Sequence, residues 1–315
     1  MSADANREGF RILRGEPALF PMELLWRWSF GLGLLALVFF VYAHLRQAVI
    51  LTDADQVALS GQDSFAFAAS ASNLIAEVMP VLLRALAQIC GPAALLWIAS
   101  AALGRRIITH IIVRRLAADY AITIAPNAPY WTSFAILKFA RVLMSLILVI
   151  GYLAGGFLAD MINGPNTNLL ATAAVVFSSL AFASVAWSYV NWVLSVAPIF
   201  VVRDALGPLD AIVEAIAFIH RNRSRLAAIA IWNGTGRGVA ATVITTAGIV
   251  TAGLRFALPG WALATLLALE TLAYLLISDY FLLARLGAYA SVAVRELTLP
   301  QAISALPDRS GTAPL

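Results

Sequence analysis

The chain has 315 residues, 61% of them hydrophobic and only 12% charged, with a formal net charge of +4 and a mean hydropathy of +0.86. No soluble fold could hide that much apolar surface, so a soluble enzyme of two ordinary domains is excluded and the bilayer becomes the solvent. Lys138 is the only lysine and Cys90 the only cysteine, which leaves no disulfide framework and no cysteine metal site.

Residues 1–28 form a polar lead. Phe10, Leu13, Leu19 and Phe20 alternate there with Arg7, Arg11 and Arg14, a pattern that suits either a short amphipathic helix on the membrane surface or a loosely ordered tail. The first apolar run begins too late for a cleavable signal peptide, so the first span is expected to remain as an anchor. Trp26 and Trp28 mark its headgroup-level entrance, and the span itself runs from Ser29 to Ile50.

An acidic loop from Thr52 to Ser64 follows, then a segment from Phe65 to Arg84 with apolar residues at helical spacing, expected to break at Pro80. The second span covers Ala85 to Leu103. Beyond it, Arg105, Arg106, Arg114 and Arg115 bracket four isoleucines, and this stretch is expected to rest on an anionic leaflet with its apolar side down.

Pro126, Asn127 and Pro129 interrupt the chain before the third span, Ser133 to Leu158. After a turn at Asp160 to Asn168, the apolar stretch from Leu169 to Val202 is longer than one crossing needs, so it is one tilted helix or a broken one. The segment from Asp204 to Arg225 is strongly amphipathic, with Leu209, Ile212, Val213, Ile216 and Ile219 expected on one face, and should lie on the cytoplasmic surface. Its basic end, Arg221, Arg223 and Arg225, is a candidate contact for lipid phosphates or an acidic partner.

The fifth span covers Leu226 to Phe256, and a turn at Leu258, Pro259 and Gly260 leads into the sixth, Trp261 to Leu283. The transmembrane domain as a whole takes in residues 29–294. Residues 295–315, rich in Pro, Ser and Gly, read as a disordered tail.

The fold class expected is therefore all-α, a six-span helical bundle with interfacial amphipathic helices. Arginines concentrate in the lead, in the loop between spans two and three and in the loop between spans four and five. That alternation places both termini in the cytoplasm. Arginine in place of lysine, with abundant alanine, suggests a GC-rich bacterial source and hence an inner-membrane location.

Arg237 lies about 16 Å into the fifth span counted from Leu226, and Glu270 about 14 Å into the sixth counted from Trp261, at a rise of 1.5 Å per residue. An intramembrane arginine needs a partner. These depths predict a midplane Arg237–Glu270 ion pair, with Asn233 one helical turn away as an additional partner, forming either a structural clasp or part of a transport route.

His44, His110 and His220 lie at span boundaries with no ligand-spaced partners, and no nucleophile elbow, metalloprotease motif or carboxylate cluster is present in the sequence. No catalytic residue, metal or cofactor is expected. The expected partners are anionic lipid headgroups, with a protein partner or a second copy of the chain as further candidates, and no nucleic acid.

The run Ala197, Pro198, Ile199, Phe200, Val201, Val202, Arg203, Asp204, then Gly207, Pro208, Leu209, Asp210, Ala211 and Ile212 resembles the six-helix membrane domain attached to some bacterial glycerophosphodiester phosphodiesterases and its stand-alone relatives. The resemblance covers Trp192 to Trp232 in detail. It implies a membrane helix ending at a proline and a following surface helix with a small residue, here Ala215. The chain has no room for the soluble phosphodiesterase barrel, so the resemblance implies an accessory or scaffold module and no phosphodiesterase activity. Two other functions fit the same sequence: a small transporter or permease subunit built around Arg237 and Glu270, and a membrane enzyme acting on lipids.

Overall fold

The computed structural model describes residues 2–48, 64–124, 131–163 and 169–304, and among them every regular element is helical. The helices are α1 (Ser2–Gly15), α2 (Leu19–Ala48), α3 (Ser64–Asp119), α4 (Trp131–Asn163), α5 (Leu169–Arg203), α6 (Pro208–Arg221), α7 (Arg223–Gly253) and α8 (Gly260–Ser304), with a 3-10 turn at Leu254–Phe256 between the last two. Six of them are long and apolar enough to cross a membrane, over Leu19–Phe40, Gly91–Asp119, Trp131–Leu148, Ala173–Arg203, Arg223–Phe256 and Gly260–Leu297. A helix satisfies all its backbone groups internally, which is why an apolar chain in lipid takes this form.

The boundaries differ from those read in the sequence. The first spanning helix starts at Leu19, ahead of the tryptophans. The segment from Phe65 to Arg84, the second span and the arginine-bracketed stretch are one 56-residue helix that runs through both Pro80 and Pro92. The stretch from Leu169 is likewise unbroken and passes Pro198 to end at Arg203. Proline removes one backbone donor, but a membrane helix tolerates it where neighbouring groups take up the freed carbonyl. The loop at 52–63, Pro126, Asn127 and Pro129 lie outside the described residues.

The chain divides into two compact units, Leu25–Ala101 and Met1–Leu24 with Ala102–Leu315. In the first, Phe30 stacks on Trp97 at 5.2 Å, and Leu32, Leu35, Val38, Phe39 and Phe40 all point outward. A helix apolar all round in this way suits lipid contact.

The second unit carries the core. Helices α4 and α5 pair along their length, α7 and α8 form a hairpin, and α1 packs against α8 and α7. Burial of Ala5, Ile12 and Leu13 shows that α1 is neither a tail nor a helix resting on the membrane by its apolar face. Its approach to α8 is very close. A Cβ on Gly9 would fall 2.2 Å from the Ala284 carbonyl oxygen, and one on Gly287 would fall 3.1 Å from the Gly9 Cα. Phe10 then packs edge-on against Phe281 at 5.9 Å.

In the stretch Arg105–Arg115, Ile108, Ile112 and Val113 are fully buried while Ile107 is 37% exposed, so much of the apolar side expected to rest on a leaflet is covered by protein instead. The tail is also revised, because α8 continues to Ser304. Residues 305–315 lie outside the described residues.

Candidate functional site

The expected Arg237–Glu270 ion pair does not form. The Arg237 Nε donates to Ser278 Oγ at 3.0 Å, while Glu270 accepts from the Thr251 hydroxyl at 2.6 Å. Gly236 meets the ring of Phe281 in the same register, and Gly248 lies against the Glu270 carboxylate. Arg237 and Glu270 are thus offset by roughly 15 Å along the hairpin at 1.5 Å per residue. Depths measured from opposite ends coincide only where each helix is one bilayer thick. Helix α7 has 31 residues, about 46 Å at that rise, so the two ends do not share a midplane.

Asn233 is also redirected. It is buried, and its amide donates to Asn6 Oδ1 of α1 at 3.0 Å and to the Ile229 carbonyl at 2.9 Å. The polar side chain that was expected to attend Arg237 instead fastens the N-terminal helix to α7.

The arginine-rich stretches converge at one end of the larger unit. Arg11 pairs with Asp119 at 2.8 Å and with Glu8 on its own helix, and Arg115 approaches Glu16 at 3.8 Å and Asp119 at 3.6 Å. Arg295 reaches Glu8 at 3.9 Å and donates to the Tyr120 hydroxyl at 2.6 Å. Arg221 bridges Glu214 at 2.7 Å and Glu296 at 3.0 Å. Hydrogen bonding to Glu8 holds the Arg11 guanidinium above its ordinary range, and Glu296, with Glu214, does the same for Arg221. Arg203, itself buried, forks onto Asp204 and donates to the Ala293 carbonyl at 2.7 Å. Arg105 and Arg106 are half-buried, whereas Arg114, Arg223 and Arg225 are exposed.

Helix α6 sits at this same end. The chain turns into it through Ala205, whose φ of 54° is in the left-handed region, and Pro208 starts the helix without a side-chain cap. It buries Ala211, Ala215, Phe218 and Ile219, with Phe218 edge-on to Phe200 at 5.3 Å. Leu209, Val213 and Ile216 are 72%, 66% and 42% exposed. The single apolar face expected from the sequence is therefore split: Ala211, Ala215, Phe218 and Ile219 turn inward, while Leu209, Val213 and Ile216 turn out.

Two recesses flank α5. One, ≈ 500 Å³, lies between α4 and α5 and is lined by apolar side chains such as Met144, Ile147, Phe182 and Trp187. The other, ≈ 410 Å³, lies between α5, α7 and α8 and carries Asn191, Trp192, Ser195, Arg285 and Tyr289. No family model matches the chain, and no curated protein or solved structure is similar to it. Among the described residues no group of three His, Cys, Asp or Glu side chains is placed to hold a metal ion.

Proposed function

We propose that the chain is a non-catalytic scaffold of a bacterial inner membrane, with both termini in the cytoplasm and an arginine-rich end that organises anionic lipid or a protein partner there. The observation that carries this reading is the inter-helix ion pairing at that end. Arg11, Arg115, Arg221 and Arg295 are spent on carboxylates that tie α1, α3, α6 and α8 together. Paired charges distributed over several helices build a rigid platform, whereas catalysis needs them gathered around one cleft with a titratable group left to act.

Convergence of three arginine-rich stretches on one end agrees with the cytoplasmic bias of such loops. The outward stripe of Leu209, Val213 and Ile216 on α6 then lies at the headgroup boundary, with the exposed Arg223 and Arg225 beside it at the start of α7. This arrangement is in keeping with the accessory module that the resemblance implies. A transport route through Arg237 and Glu270 has less support, because each has its own partner on the facing helix.

The test is the depth of α6. A nitroxide placed by Val213→Cys, in a Cys90→Ser background in anionic liposomes, is expected to collide with oxygen more readily than with a water-soluble nickel complex. A label at Arg223→Cys should show the opposite preference. Equal access of the nickel complex to both positions would contradict the reading.

A further inference from the structure

The cleft between α5, α7 and α8 holds a positive charge and hydrogen-bond donors that the protein itself leaves unused. Arg285 projects from α8 into it. Among the described residues this guanidinium is joined to no carboxylate, its recorded neighbour being the ring of Tyr289 at 6.0 Å. The charge that acts on it is a like one, Arg237. Behind the opposite wall Arg141 donates to Ser195 Oγ at 2.9 Å, which adds to the positive potential.

Two further polar atoms are stranded in the same place. Tyr289 is 1% exposed, and its hydroxyl is buried without a hydrogen-bond partner, as is the indole nitrogen of Trp192. The Trp192 indole lies within reach of the Tyr289 hydroxyl, short of a well-formed hydrogen bond. Buried polar groups are nearly always satisfied, and an unpaired arginine is costly at membrane depth. A fork of guanidinium donors beside an indole N–H and a phenol O–H is complementary to a tetrahedral or planar oxyanion.

The remaining lining is mixed, with Ser188, Asn191 and Ser195 on α5 and Ala227 and Ala230 on α7, and it includes Val185 and Ile231. These are 71% and 68% exposed on spanning helices. The cleft therefore offers donors inside and an apolar lip outside. Its size is within the range of small-molecule sites.

We propose that this cleft binds a phosphate-bearing anion, Arg285 anchoring the charge and Trp192 and Tyr289 donating to it, with any hydrocarbon portion leaving past Val185 and Ile231. The site is separate from α6 and does not depend on the depth of that helix. The anion can come from a lipid headgroup or from free phosphate, and the experiment separates them.

The full chain, purified with equal amounts of phosphatidylglycerol and phosphatidylcholine, is examined by native mass spectrometry for retained lipid, and its melting temperature is followed as inorganic phosphate is added. Phosphatidylglycerol should be retained preferentially by the native chain. Arg285→Gln should weaken that preference by about tenfold and Tyr289→Phe by about threefold, the ranges expected for losing a charged and a neutral hydrogen bond. Arg255→Gln, an exposed arginine in the α7–α8 turn, should leave it unchanged. Lipid retention that phosphate does not displace assigns a headgroup; an Arg285-dependent rise in melting temperature with phosphate alone assigns the free anion. The proposal is overturned if folded Arg285→Gln and Tyr289→Phe chains retain phosphatidylglycerol like the native one and phosphate shifts neither the native chain nor the variants. If Arg285→Gln does not fold, Tyr289→Phe, which keeps the ring and removes only the hydroxyl, decides the matter in the same way.

Discussion

An arginine in a membrane helix takes whatever polar group its own register brings opposite, and Arg237 meets Ser278 because the α7–α8 turn sets that register. Composition made the need for a partner legible; the partner's identity depended on where the turn lies and on α7 outrunning one bilayer thickness. Two consequences can be measured in detergent. Ser278→Ala should destabilise the hairpin by about 1–2 kcal/mol, because a half-buried charged donor loses its acceptor. In a double-mutant cycle Arg237→Gln and Ser278→Ala should couple, whereas Arg237→Gln and Glu270→Gln should add to within about 0.5 kcal/mol as independent sites do. Gly9 and Gly287 are a second residue-level case. They stand far apart in the chain and nothing in either neighbourhood marks them as a pair, yet their contact lets α1 seat on α8. Gly9→Ala forces a methyl group against a backbone carbonyl and should lower stability by about 1–3 kcal/mol, as overpacking does, with a matching fall in melting temperature.

Among the elements, those defined by long apolar windows were legible and those defined by docking were not. All six spans could be read from hydropathy, whereas the beginning of α2 and the end of α8 could not, since polar residues there are held by packing and ion pairs. Helix α6 is legible by its period, but which side faces inward is set by packing: Ala211 and Ala215 bring it close to its neighbours, α5 chief among them, and Phe218 and Ile219 fill the space beside them. Ala215→Leu should therefore disrupt the α5–α6 contact and cost about 1–3 kcal/mol, while Val213→Ala at the outer face should cost less than about 0.5 kcal/mol. The end of α8 was read as a disordered tail from its composition. Arg221 and Glu296 hold it to α6 instead. Glu296→Ala should accelerate amide exchange across 295–304 while costing only about 0.2–1 kcal/mol, the usual worth of a half-exposed pair.

Across the molecule, most charge in the larger unit is gathered at one end, where α1, the end of α3, α6 and the end of α8 are linked by ion pairs, and the spans beyond it are apolar. The alternation of arginine-rich loops in the sequence already implied this one-sidedness; that the charges pair with one another required the fold. A scaffold role needs that end to face the cytoplasm. Single cysteines at Arg14, Arg223 and Phe256, each in a Cys90→Ser background, can be challenged in intact cells with a membrane-impermeant maleimide. Phe256 in the α7–α8 turn is 88% exposed and should be labelled from outside, while Arg14→Cys and Arg223→Cys should react only after permeabilisation. Labelling of Arg14→Cys or Arg223→Cys in intact cells, or protection of Phe256→Cys there, would contradict a cytoplasmic platform.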